Sequence, residues 1–360
     1  MQRRVVVVGV VIAVVVVLAG GGLLAWRTAS RTPYEQAVAW MPAETLRATY
    51  TDWAAVRGLA DGTDLGAASS TRDVGSFLDR AYDQDLVSAS AVADSTYAMN
   101  EQYGLSPVDA AWEMYGQSRE GAVVVMAMTD EVDLDGVERN LRSLGYRAPA
   151  EGAGTGGTWA GSADLVATID PSLTPVLQNV VVLPDEHVVL LSDNTSYVSS
   201  AASVVTGSAE SLEDATEGTA ALAELAGEPV SAMLYASDFA CEALSMGSAD
   251  EEDRAVAEDL VNRVGGVSPL SGLVLAMQRD RGLTVGMHFE SDEQASDNVE
   301  PRVRLASGEA VGQGGTFADR FRVREGRSDG QEVVLDLVPV DQTQSLLSDL
   351  SQGPVLFATC

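Results

Sequence analysis

The sequence predicts an α+β protein: an N-terminal transmembrane helix followed by two tandem α+β repeats with mainly antiparallel sheets. Three observations predict it. One long apolar run opens the chain, short apolar strand-like runs alternate with helical patterns after it, and an extended segment ending in Asp-aromatic occurs twice.

Val5 to Trp26 is a run of 22 uncharged, mostly apolar residues. As a helix it reaches roughly 30 Å, the thickness of a bilayer's hydrocarbon core. In lipid the backbone must bond to itself, so a valine-rich segment is expected to be helical there. Arg3, Arg4 and the amino terminus precede it, while Arg27 and Arg31 follow it. Together with its N-terminal position, that bias predicts a cytoplasmic N-terminus and an extracytoplasmic domain, a cell-membrane protein with one span. Leu18-Ala19-Gly20-Gly21 has the shape of a lipoprotein signal with Gly21 where the lipidated Cys would stand. An uncleaved anchor is expected, with a cleaved signal as the other reading. Residues 1–4 form the cytoplasmic stub, 5–26 the span and 27–40 a juxtamembrane linker.

The repeats are placed at 41–227 and 228–360. The first opens with Thr45 to Asp52-Trp53, the second with Val230 to Asp238-Phe239, an offset of 186 residues. Each Asp is placed to cap the helix that follows, and each aromatic to pack the turn onto a sheet. Gly121–Met128 is matched with Gly272–Met277, both read as buried strands. Asn179–Leu191 is a hairpin broken at Pro184–Glu186, matched by Phe321–Arg324 and Val333–Leu337 across Ser328-Asp329-Gly330. Helical patterns cover Asp73–Leu86, Ser106–Tyr115, Leu134–Leu144, Thr195–Val205, Leu212–Leu225, Asp250–Val264, Glu293–Leu305 and Thr343–Leu350. Ser106-Pro107-Val108-Asp109 carries the signature of a helix start.

The Pro42-Ala43-Glu44-Thr45 opening, the Asp-aromatic strand ends and the closing Gly353–Ala358 segment resemble a family of bacterial exported, membrane-anchored proteins of unknown function, of the actinobacterial type. The resemblance implies an exported α+β repeat protein and supplies no activity.

The chain has 53 acidic residues against 22 basic ones, a net charge of −31, and every basic residue is arginine. A GC-rich genome accounts for that choice, and a halophile's acidic surface is the sharper alternative. A surface this negative repels phosphate backbones, so nucleic acid is not an expected partner. Residues 28–360 alone carry 19 Arg and the 53 acids, which also disfavours contact between the domain face and an anionic bilayer.

Two cysteines, Cys241 and Cys360, form an even count in a domain expected outside the cytoplasm, which suggests a disulfide; two unrelated thiols are the alternative. Arg320, Arg322 and Arg324 alternate with Phe321 and Val323, which places them on one face of a strand, near Arg302, Arg304 and Arg327. That basic cluster could meet an anionic envelope polymer or an acidic protein partner. It could equally pair internally, with Arg322 opposite Asp336 if Ser328–Gly330 is the whole loop.

Motifs of chemistry fail on context. Gly152–Gly157 matches a dinucleotide fingerprint but lacks the strand before it and the helix after it. Asp133-Leu-Asp135-Gly136 looks like part of a calcium loop, yet its twelfth position is Arg142, so helix capping is expected instead. His187 and His288 lie in strand-like runs, and no G-x-S-x-G occurs. No catalytic residue, cofactor or metal is therefore expected. The function expected is a non-enzymatic binding or structural module of the cell envelope; the alternative is an envelope hydrolase or transport accessory using carboxylates.

Overall fold

The computed structural model describes residues 31–66, 69–150, 156–341 and 345–360. The expected span at 5–26 lies outside them, as does most of the Gly152–Gly157 loop. Among the described residues no helix is long and apolar enough to cross a membrane.

The chain runs α1 (Pro33–Ala39), β1 (Arg47–Thr51), α2 (Trp53–Leu59), α3 (Thr71–Asp83), the hairpin β2–β3 (Ala110–Gln117 and Ala122–Met128), α4 (Leu134–Leu144), β4 (Trp159–Ala160), α5 (Ala163–Ile169), the hairpin β5–β6 (Asn179–Leu183 and Val188–Ser192), α6 (Thr195–Val205), α7 (Leu212–Ala215) and α8 (Thr219–Ala226). It continues through β7 (Ser231–Ala236), α9 (Phe239–Leu244), α10 (Glu251–Arg263), the hairpin β8–β9 (Gly272–Met277 and Leu283–His288), α11 (Asp292–Leu305), the hairpin β10–β11 (Phe321–Asp329 and Glu332–Pro339) and α12 (Leu346–Ser351).

The fold is α+β, built on one large antiparallel sheet of eleven strands in the order β10-β11-β9-β8-β7-β1-β2-β3-β6-β5-β4. β1 and β7 meet at its centre. Outward from that pair the order is β1-β2-β3-β6-β5 on one side and β7-β8-β9-β11-β10 on the other.

Strand period sorts the side chains into two cores. Met233, Tyr235, Val124, Met126, Leu273 and Leu275 join one face, under α2, α3, α4 and the helices after β7. Ala48, Tyr50, Trp112, Met114, Val123, Val125 and Leu234 join the other, under α1, α6, α7 and α8. Cover on both faces explains why β5, β6, β7 and β8 are buried at every position rather than at alternate ones.

Half of the expected 27–40 linker belongs to this core. Thr32 and Glu35 form a reciprocal capping box that starts α1, and Tyr34, Ala37 and Val38 are buried.

The helix expected over Ser106–Tyr115 is a strand. Pro107–Asp109 makes one 3-10 turn and β2 follows. The Ser106 hydroxyl donates to the Asp109 carboxylate at 2.8 Å instead of accepting from a helix N–H. Arg57 donates to the carbonyls of Val108 and Ala110 at 2.8 and 2.7 Å, and Asp109 carbonyl accepts from the Thr129 N–H. A helix would need those carbonyls for itself. β1 and β3 then pair with β2 on both sides.

In the sheet β8 (Gly272–Met277) adjoins β7 as β2 adjoins β1, and β9, the strand-like run that ends on His288, adjoins β8 as β3 (Ala122–Met128) adjoins β2. The Leu212–Leu225 helix is also broken, because Gly218 adopts φ +79° and its α-carbon packs against the His288 ring.

Candidate functional site

The expected basic cluster is dispersed. Arg320 precedes β10 and is tied to the preceding loop, donating to the Gln313 Oε1 at 2.6 Å and to the carbonyls of Gln313 and Gly314 at 3.0 and 2.9 Å. Arg322 lies opposite Val338, not Asp336, because the turn is only Gly330-Gln331 and a bulge falls between Val323 and Glu325. Asp336 instead takes Arg324 at 3.9 Å and Arg327 at 3.5 Å. Arg302 leaves the cluster altogether: it is 0% exposed, inside the core under α11. Arg304 pairs one helical turn back with Glu300. Arg324 also borders an open cleft of about 330 Å³, where it and Arg279 are balanced by Glu228, Asp280 and Asp336.

Cys241 and Cys360 are joined by a disulfide, with Cα atoms 5.7 Å apart and 119 residues between them in sequence. The bridge fastens the C-terminal segment beside α9. Arg302 fastens it a second time, donating to the carbonyls of Phe357 at 2.8 Å, Thr359 at 2.6 Å and Ser268 at 2.6 Å. Phe357 closes an aromatic cluster with Phe317 and Phe321.

Among the described residues the buried carboxylates, His288 and Arg302 each have a partner within the protein, whereas the buried Tyr34 hydroxyl has none. Asp52 accepts from the Ala55 N–H at 2.8 Å and caps α2, whereas Asp238 makes no such bond to α9. Asp85 is bound by Ser348, and Asp109 by Ser106. His288 meets Glu332 at 2.9 Å. Glu113, on β2, accepts from Trp53 Nε1 at 2.9 Å, Ser90 Oγ at 2.8 Å and the Ala91 N–H at 2.6 Å. Asp133 caps α4 through the Gly136 N–H at 3.0 Å. His187 sits in the β5–β6 turn at φ +58° with Nε2 on the Thr129 carbonyl. Among the described residues no group of three or more His, Cys, Asp or Glu could hold a metal ion.

Glu113 yields a prediction. Burial pushes its carboxyl above the usual range, opposed by the three donors. Glu113→Gln is expected to cost about 1–3 kcal/mol, since an amide offers one acceptor atom where two oxygens now accept. Between the ordinary glutamate value and the raised native one, the native state holds a proton that the unfolded chain has released. The wild-type contribution is thus complete below the ordinary value and is lost as pH rises through the raised native one. Urea denaturation from about pH 4 to 8 should show the gap between variant and wild type narrowing as pH rises. A widening gap would contradict it.

One cavity collects polar groups that the protein leaves free. It is a partly open hollow of about 340 Å³ between the start of α3 and the segment running from Thr96 into β2, and Thr71, Tyr97 and Glu101 in its lining are exposed. Thr96–Ala98 is a single α-turn, and Met99–Tyr103 continues it as a π-turn that ends on Gly104 at φ +73°. Tyr97, Asn100 and Glu101 stand at i, i+3 and i+4, so they share one face of this helix, and all three line the cavity. Thr71 and Val74 face them from α3, with Ser106 and Val108 below. The side chains of Thr71, Tyr97, Asn100 and Glu101 make no hydrogen bond or ion pair among the described residues. Ser106 is already engaged by Asp109. Tyr97 is 39% exposed. A Cβ added at Gly75 would lie 2.5 Å from its hydroxyl. Burial, and then the nearby Asp79, hold that hydroxyl above its usual pKa, so it remains a donor. The sequence reading missed this site. Its one local signal was the i, i+3, i+4 spacing of Tyr97, Asn100 and Glu101.

No family model and no curated protein matches the chain. Solved structures similar to it include crystal form III of TP0453, with 9% identity and a TM-score of 0.39, covering 90% of this chain and 99% of that one. Crystal form I of TP0453 is similar at 9% identity and a TM-score of 0.37, covering 90% and 98%. At that level the likeness assigns neither family nor function.

Proposed function

We propose that the chain is a membrane-tethered, extracytoplasmic, non-catalytic binding module made of two tandem repeats. The observation that carries the non-catalytic part is the engagement of the buried ionisable groups. Asp52, Asp85, Asp109, Glu113, His288, Arg302 and Glu332 are each held by a protein donor or acceptor, which leaves none of them poised as a base or nucleophile. The Cys241–Cys360 bridge supports the compartment, because disulfides persist where the surroundings are oxidising. The apolar run at Val5–Trp26 supports the tether.

The sheet supports the repeat. The 186-residue offset that relates Asp52 to Asp238 also relates Ala48 to Leu234, and those two residues lie directly opposite each other in the β1–β7 pair. A local two-fold axis through that pair would superpose one half on the other, with β2, β3, β6 and β5 falling on β8, β9, β11 and β10.

Protease added to intact cells tests the topology. The full chain, tagged at its N-terminus, should lose its domain and keep the tag. Protection of the domain would overturn the extracytoplasmic reading. Turnover of ester, amide or glycoside reporters by the purified full chain, lost on changing one of these carboxylates, would instead favour the hydrolase alternative.

A further inference from the structure

We propose that the cavity between α3 and the Thr96–Tyr103 turn binds a neutral, polyhydroxylated ligand of the saccharide class. The inference rests on the reading of the chain as a binding module and names what that module would bind.

The lining selects the ligand's chemistry. Thr71 and Tyr97 offer hydroxyls, Asn100 an amide and Glu101 a carboxylate, and none of these groups is spent within the protein. Together they provide both donors and acceptors at close quarters, the combination that vicinal hydroxyls require. Val74 and Val108 supply apolar wall, and the part-exposed Tyr97 ring adds a flat surface suited to the C–H face of a sugar ring. The size fits as well, since small-molecule pockets begin at about 300 Å³.

Charge removes the competing ligands. Glu101 is the one ionisable side chain of either sign, besides the tyrosine, among those lining the cavity, and no arginine lines it. An anion would enter a chain of net charge −31 with no cation to receive it. A purely apolar ligand would leave four polar side chains desolvated and unpaired.

The π-turn has a part in the geometry. A turn of this kind inserts one extra residue into the helical ladder, and such turns recur at functional sites because they re-aim side chains. Here Met99–Tyr103 begins directly after Tyr97-Ala98, so Asn100 and Glu101 are presented from the π-turn while Tyr97 is presented from the α-turn. Gly75 on α3 leaves the space that the Tyr97 hydroxyl occupies.

The test uses the full chain in a zwitterionic detergent that carries no sugar headgroup. Saturation-transfer NMR and calorimetry are run with glucose, maltose, glucosamine and glucose 6-phosphate. Binding of glucose or maltose is expected, with no binding of the phosphate. Tyr97→Phe and Asn100→Ala should each weaken it by about three- to tenfold, the worth of one hydrogen bond. Gly75→Ala removes no polar group and should weaken it too, by displacing the Tyr97 hydroxyl. No binding of either neutral sugar at concentrations on the order of tens of millimolar would overturn the inference. So would binding that ignores all three variants, or binding of glucosamine alone, which would mark a cation site. Recovery of the bound sugar unchanged keeps both readings. Its conversion to product would leave the cavity standing and sink the non-catalytic module.

Discussion

Replacing Cys241 and Cys360 by serine is expected to lower the stability of the domain by about 4–5 kcal/mol. The bridge closes a loop across 119 residues, and on the chain-entropy model a loop of that length constrains the unfolded chain by about this amount. The expected readout is a lower urea midpoint for the double-serine protein, reproduced in the wild type by a reductant. Unfolding at an unchanged midpoint would show that the C-terminal segment holds without its bridge. Protein extracted from cells under alkylating, non-reducing conditions should carry no label on either cysteine.

Arg302→Ala is expected to cost about 3–5 kcal/mol, the range for removing a large buried side chain that also leaves polar partners unpaired. The guanidinium is wholly buried and, among the described residues, forms no ion pair with a carboxylate. Burial draws its pKa below the ordinary arginine range, while three carbonyls keep the charged form bonded. Its removal strands the carbonyls of Phe357, Thr359 and Ser268. Arg302→Lys should recover only part of the loss, because a single ammonium cannot reproduce the planar fork that spans two segments. Arg302 and Cys360 fasten the same C-terminal residues. Once one fastening is gone the other secures less, so the triple variant should lose less than the sum of the separate losses. Simple additivity in chemical denaturation would show instead that the two act independently.

Much of the secondary structure was legible because its signals are local. Asp133, Ser291 and Asn194 cap the helices that follow them through bonds spanning two or three residues. The turn signals at Pro184–Glu186 and around Gly330 mark hairpins that the structure contains. β2 was misread for the complementary reason. Ser106-Pro107-Val108-Asp109 satisfies every local rule of a helix start, and what overrides it comes from Arg57, some fifty positions earlier, and from the two strands that flank β2. The arginines failed in a similar way. The alternate-residue spacing of Arg320, Arg322 and Arg324 is visible, but a bulge and a two-residue turn decide which of them meets Asp336. The cavity was hidden because Thr71 and Tyr97 belong to different elements, and only packing brings them to one hollow.

By itself the sequence determined the α+β class, the antiparallel hairpins, the acidic surface and the count of two cysteines, since periodicity, turn chemistry and charge act over a few residues. Only the tertiary structure decided that both halves share one eleven-stranded sheet joined at β1 and β7, that Cys241 lies within reach of Cys360, and that Arg302 is a core residue rather than a surface cation. Those outcomes depend on strand pairing and burial between residues far apart in the chain. The free energy of such contacts is set by which surfaces meet, and no short window of residues contains both surfaces.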